Sequence, residues 1–297
     1  MKAAFWRVQE ALNNDFIVLK GFSNWDHYWS DPERRIQYDL DLFCPDPIKA
    51  RNKLIQLGYE ETEQRSRIDH LPPLVPTTNW RWNGDFFDPE MPLAVEIHFR
   101  LWDEETEGFS VPGLQTRRVT QTLDGKPYFA LHPVDSLGYA CLHLLRHLLR
   151  GDVRASNVYE IAHFLDKNAQ NSHFWRQFQS LPGVGICFLL AKSWFECQMH
   201  PVAQAEIDRL DPRILRWFEK YAWSPLEAIY RPNKDEVWLH LLLLDSVWTK
   251  AKILTRRLAP LQWPRAPYVS RFQNARYVAE RALFHARALS RMLKIWA

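Results

Sequence analysis

Residues 34–43 read RRIQYDLDLF, and the reading of this stretch decides what kind of sheet the chain builds. Leu40, Leu42 and Phe43 are strand formers, whereas aspartate is disfavoured in strands, yet Asp39 and Asp41 stand among them. Side chains alternate along a strand, so the two aspartates share one face and Leu40 and Leu42 the other. Two readings are open for the acidic face. Either it meets plain solvent, or it sets two carboxylates side by side to hold a cation.

Upstream, AFWRVQEALNN has helical spacing and ends at two asparagines, and FIVLKG (16–21) reads as a short strand running into a turn. SNWDHYWS fits a short helix that stops before Asp31-Pro32. Downstream, DPIKARNKLIQLGYE is a helix with Asp46 as its cap, Pro47 at its first position and Gly58 past its end. A strand is expected around NWRWNG (79–84). LAVEIHFRLW (93–102) is a clear strand, with Glu96 and His98 on one face and Val95, Ile97 and Phe99 on the other. After about residue 126 strand signals vanish. Helices are expected at 134–150, 156–168, 173–180, 184–197, 203–220 and 235–257, then a proline-punctuated connector and a last helix over 268–296.

The whole is an α+β protein: a small mixed-sheet domain over 1–125, a helical domain over 126–258 that closes over its cleft, and a connector plus basic amphipathic helix over 259–297. With 297 residues, 46% hydrophobic and 25% charged, the chain has the composition of a globular protein. Its 14 tryptophans and only 10 glycines favour helices over a sandwich or barrel. A net charge of +3 is too small to argue for a nucleic-acid partner. The four cysteines show no paired spacing and read as reduced thiols of a cytoplasmic protein. The N-terminus lacks the apolar core of a signal peptide, and VWLHLLLLDSVW is too short to span a bilayer.

Three acids thus fall on sheet faces: Asp39, Asp41 and Glu96. Converging carboxylates repel one another unless a cation lies between them, and Mg²⁺ or Mn²⁺ with phosphate oxygens is their natural partner. Lys20 and Gly21 stand at a turn able to present N–H groups to a phosphate. Arg34 and Arg35 precede the acidic strand, and His98 shares the face of Glu96.

These residues resemble a known family. FIVLKG, RRIQYDLDLF, KLIQLGYE and AVEIHFRL follow, in order and spacing, the pattern of a bacterial nucleotidyltransferase-like family of the polymerase-beta-like nucleotidyltransferase superfamily. The resemblance is clearest over residues 16–102 and continues more weakly through LHLLRH and TRRLAP. Glu160 in NVYEIAHFL departs from it, since relatives usually carry aspartate there. The resemblance implies that Asp39, Asp41 and Glu96 are the catalytic and metal-binding acids. It also implies that Lys20, Gly21, Ser23, Arg35, His70 and His98 serve the nucleotide. The implied reaction moves an NMP from an NTP to an acceptor hydroxyl, with pyrophosphate leaving; the sequence does not name the acceptor, which is open among a small molecule, a peptide and a protein, with a nucleic acid the less favoured choice. The alternative is a catalytically silent nucleotide-binding or regulatory module on the same fold.

Two helices carry a second message. On VDSLGYACLHLLRHLLR, His143, Arg146, His147 and Arg150 share one arc, opposite a leucine-rich arc. That basic face suits a nucleotide cleft, while a two-histidine zinc pair and ordinary packing or solvent exposure are the competing readings. The last helix sets six basic residues against Glu280 and carries an apolar stripe. It is read either as packing on the protein itself or as a peripheral contact, through 268–297, with an anionic membrane or a partner protein.

Overall fold

A computed structural model describes residues 2–24, 37–62, 69–81, 83–85, 88, 90–228, 230–231, 233–258 and 271–294. The α+β expectation holds: among the described residues the chain forms one seven-stranded mixed sheet and thirteen α-helices. It divides into two compact units. The first comprises Met1–Thr106, Ser110–Ala140 and Asn171–Leu181, and the second Glu107–Phe109, Cys141–Gln170 and Pro182–Ala297.

The sheet belongs to the first unit. Its strands are β1 (Ile17–Val18), β2 (Asp39–Phe43), β3 (Tyr59–Glu61), β4 (Leu74–Pro76), β5 (Ala94–His98), β6 (Arg118–Leu123) and β7 (Lys126–Leu131), in the order β3-β4-β5-β2-β1-β7-β6. β2 and β5 run parallel at its centre, with β1 antiparallel on one side and β4 antiparallel on the other. Helices α1 (Lys2–Leu12) and α2 (Pro47–Gln56) cover one sheet face. There Phe5, Val8 and Leu12 of α1 and Leu54 of α2 pack with Leu40, Leu42, Val95 and Ile97 in one buried core. At about 25 cal/mol per Å² of apolar area, that burial fixes which way β2 faces, because a one-residue slip would turn its aspartates into the core. α1 ends as expected at Asn13 and Asn14, both in the left-handed region. α2 starts on Asp46, whose carboxylate accepts from Lys49 N.

Several expectations are corrected. Strand signals do not end near 126, because β6 and β7 form a hairpin across Asp124-Gly125 with φ 51° and 76°. Two consecutive positive φ angles are the signature of the tight turn that Asp-Gly favours. No strand forms among the described residues of NWRWNG. Asp88 instead accepts from Trp80 Nε1 and Asn83 Nδ2, which organises that stretch as a polar loop, and the strand lies earlier, at β4. The helix expected over 203–220 is two, because Asp211-Pro212 caps and starts a new one. That expected over 235–257 is also broken, between Leu242 and Val247. The stretch SNWDHYWS lies mostly outside the described residues, after a 3-10 turn at Gly21–Asn24, and the 259–267 connector lies wholly outside.

The second unit is helical. It includes the latter part of α4 (Pro133–Arg150), α5 (Ala155–Lys167), α7 (Val184–Phe195) and the last helix, α13 (Arg271–Lys294), while α3 (Glu104–Glu107) and α6 (Ser172–Gln177) complete the first seven. α13 packs within its own unit: Ala288 is fully buried, and Arg291 reaches the buried Asp235 at 2.9 Å. No described helix is long and apolar enough to cross a membrane.

Candidate functional site

The parallel pairing of β2 with β5 brings the acids together. Asp41 lies opposite Glu96 in the register, flanked by Leu40 opposite Val95 and Leu42 opposite Ile97. The leucines, Val95 and Ile97 are in the core, so Asp41 and Glu96 share the other face. Asp41 is buried, with its side chain 1% exposed, whereas Asp39 is 36% and Glu96 25% exposed. The acidic face is therefore graded in depth rather than openly solvated.

Two basic residues face it. Lys20 Nζ stands 3.2 Å from Asp41 Oδ1 and 3.9 Å from Asp39 Oδ2. His98 Nε2 donates to Asp41 Oδ1 at 3.2 Å and lies 3.7 Å from Glu96 Oε2. Burial opposes charge on every one of these groups, yet the pairing prevails. Burial would lower Lys20, but Asp41 and then Asp39 hold its pKa above the usual lysine range. Burial would raise Asp41, but Lys20 and His98 hold it well below the usual carboxylate range. Glu96 is likewise lowered, against burial, mainly by its bond from His98, and His98 is raised, against burial, by Asp41 and Glu96.

His70 joins through the backbone, forming a bridge with His98 whose rings lie 5.1 Å apart. Its Nδ1 donates to Leu71 O at 2.6 Å, and burial lowers its pKa. Gly21 follows Lys20 at φ +84°, and Ser23 Oγ donates to Lys20 O at 3.4 Å. Gln37, which the sequence reading passed over, ties these pieces together. Its Oε1 accepts from Phe22 N at 3.1 Å and its Nε2 donates to Asp39 O at 2.7 Å. A Cβ on Gly21 would come within 2.4 Å of the Gln37 amide, so glycine serves both the positive φ and this close approach. Arg35, and Arg34 beside it, lie outside the described residues.

The residues present suit a divalent cation. Asp41, Glu96 and His98 each offer a ligand atom within 4.8 Å of the others, with Asp39 outside this tight set. Asp41 Oδ2 is buried and accepts no hydrogen bond, and His98 Nδ1 is buried and unbonded. A buried carboxylate oxygen without a donor is costly, and a cation is one way to satisfy it.

His143, Arg146 and His147 fall on α4 within the second unit, with Arg146 buried. Glu160 lies on α5. A cleft of about 800 Å³ in the same unit, lined by Phe218, Tyr221, Trp223 and Arg291 among others, includes none of the expected residues.

A family model described as an uncharacterised nucleotidyltransferase matches residues 6–195, more than half of the chain, and spans Lys20, Asp39, Asp41, Glu96 and His98. The chain belongs to this nucleotidyltransferase family. No curated protein and no solved structure matches it.

Proposed function

We propose that this member of a nucleotidyltransferase family moves an NMP from an NTP to an acceptor hydroxyl, with pyrophosphate leaving, at the face formed by Asp39, Asp41 and Glu96. The observation that carries the reading is the register pairing of Asp41 with Glu96 beside an unsatisfied, buried Asp41 Oδ2. Placement within the polymerase-beta-like superfamily is part of the same proposal.

Asp41 and Glu96, with Asp39 at the outer edge, would hold Mg²⁺ or Mn²⁺. The ion supplies charge neutralisation for the triphosphate and for the oxygens of the displacement. The chain's own groups do the rest. Lys20, which already pairs with Asp41 and lies near Asp39, can pass its charge to the triphosphate when a cation takes over that task. The turn from Gly21 to Ser23, pinned by Gln37, orients the phosphates, and His98 keeps Asp41 in place through its 3.2 Å bond. Glu96 stands ionised and one-quarter exposed, suited to receive the acceptor's proton as its oxygen bonds to the α-phosphorus and the α–β bridging bond breaks. Positioning and electrostatics, not covalent chemistry, are what such a transfer asks of a protein.

The test is pyrophosphate release from each of the four NTPs with Mg²⁺ or Mn²⁺, across panels of small-molecule, peptide and protein acceptors and with the protein itself as acceptor. Release that vanishes in both Asp41→Asn and Glu96→Gln supports the reading. Nucleotide binding without release from any NTP would favour the silent binding module, since Lys20 and His98 already give Asp41 partners without an ion.

A further inference from the structure

The basic arc of α4 holds an arrangement that the transfer reaction leaves unused. His143 and His147 stand one helical turn apart, and their Nε2 atoms converge to 3.3 Å. A single shared proton makes this a hydrogen bond, but the spacing also has a metal's dimensions. Two imidazoles bound at about 2.0–2.1 Å in near-tetrahedral geometry hold their donor nitrogens about 3.3 Å apart. The helix therefore presents both donors at chelating distance with the rings already turned toward each other.

The far side of the His147 ring adds an independent observation. Its Nδ1 is buried and makes no hydrogen bond, yet Asp152 Oδ1 lies only 3.0 Å away. Asp152 is brought there by the end of the helix. Gly151 takes φ +77°, and Asp152 N then donates to His147 O at 3.1 Å. A ligand on Nε2 fixes the ring proton on Nδ1, and a carboxylate beside that proton is the partner that orients ligating histidines.

We propose that His143 and His147 form a two-imidazole site for a late first-row divalent cation, Zn²⁺ or Ni²⁺, with Asp152 as a positioning residue for His147. Imidazole donors select these ions over Mg²⁺, which wants oxygen. Two protein ligands leave the remaining positions to water, so the ion is exchangeable, unlike the closed four-ligand sites of structural zinc. The site shares no residue with Asp41, Glu96 and His98 and does not rest on the transfer reading. It gives the basic arc a narrower task than the general nucleotide contact expected from the sequence.

The experiment titrates the full chain with Zn²⁺ and with Ni²⁺ alone, by calorimetry in saturating Mg²⁺, and repeats this with Asp41→Asn, His143→Gln, His147→Gln and Asp152→Asn. The expected result is one ion bound by wild type and by Asp41→Asn, and none by either histidine variant. Asp152→Asn should bind about 10-fold more weakly, the usual effect of removing an orienting partner. Circular dichroism of each variant separates loss of the ion from loss of the helix, and a folded histidine variant that still binds at wild-type strength overturns the proposal. Absence of binding by wild type, or binding abolished only by Asp41→Asn, overturns it too.

Discussion

Lys20 Nζ lies 3.2 Å from Asp41 Oδ1, so a lysine at the end of a strand closes the charge of a fully buried aspartate on the next strand. Removing one partner of a buried pair strands the other, and the remaining bond from His98 offsets only part of that. Lys20→Met should lower the stability of the metal-free protein by about 2 kcal/mol. Millimolar Mg²⁺ should then restore the variant more than it stabilises wild type, because the ion no longer competes with the ammonium. Urea unfolding with and without Mg²⁺ checks both; an equal Mg²⁺ effect on the two proteins would count against Asp41 as a ligand.

The acids should also separate by depth. Asp41→Asn should cut turnover by at least ~100-fold, the scale of losing a group that acts on transition-state charge. Asp39→Asn should cost less, since Asp39 is more exposed and stands outside the tight ligand set. Steady-state pyrophosphate release gives the ranking, and the reverse order would show that Asp39 is the principal ligand.

Gly21 and Gln37 should behave as one unit. Gly21→Ala forces a Cβ into the Gln37 amide and into an unfavourable φ, at a cost of roughly 2–3 kcal/mol. Gln37→Ala removes the clash along with two hydrogen bonds. The double variant should therefore be less unstable than the sum of the singles by about 1 kcal/mol. A double-mutant cycle measured by denaturant unfolding tests this, and simple additivity would rule out the coupling.

The acidic strand was legible because alternating Asp and Leu betray their faces without any tertiary knowledge. The same alternation marks Glu96 and His98. Their pairing was not legible, since nothing local sets β2 beside β5 in register. The β6–β7 hairpin escaped for another reason: Arg118, Thr120 and Thr122 fill one face of β6, Gln121 interrupts Val119 and Leu123 on the other, and only Asp124-Gly125 announces the turn. Gln37 left no signal at all, because its task depends on a missing Cβ in a different segment.

His240 provides a pH test in the second unit. Burial pushes its imidazole from 6.5 down to about 4; the bond from its Nε2 to Glu107 O opposes this, and Arg257 and Arg150 add to it. The unfolded chain thus binds a proton that the folded chain refuses between these values, so stability falls as pH drops from 6.5 toward 4 and is regained above 6.5. The contribution approaches about 3 kcal/mol at its limit. Urea midpoints across this range should decline more steeply for wild type than for His240→Gln, and parallel profiles would mean that the imidazole is not excluded from protonation.

The central parallel pair also has a kinetic consequence. His98 and Asp41 meet across 57 positions of chain, and parallel strands cannot be joined by a tight turn. The loop between them must close before any contact rewards its lost entropy. Local pieces such as α1, α2 and the β6–β7 hairpin can form early, while the acidic face can assemble only after residue 98 has been made and has found β2. Until then Asp41 lacks its His98 partner, and that share of the cost of burying it is offset only when β5 pairs with β2.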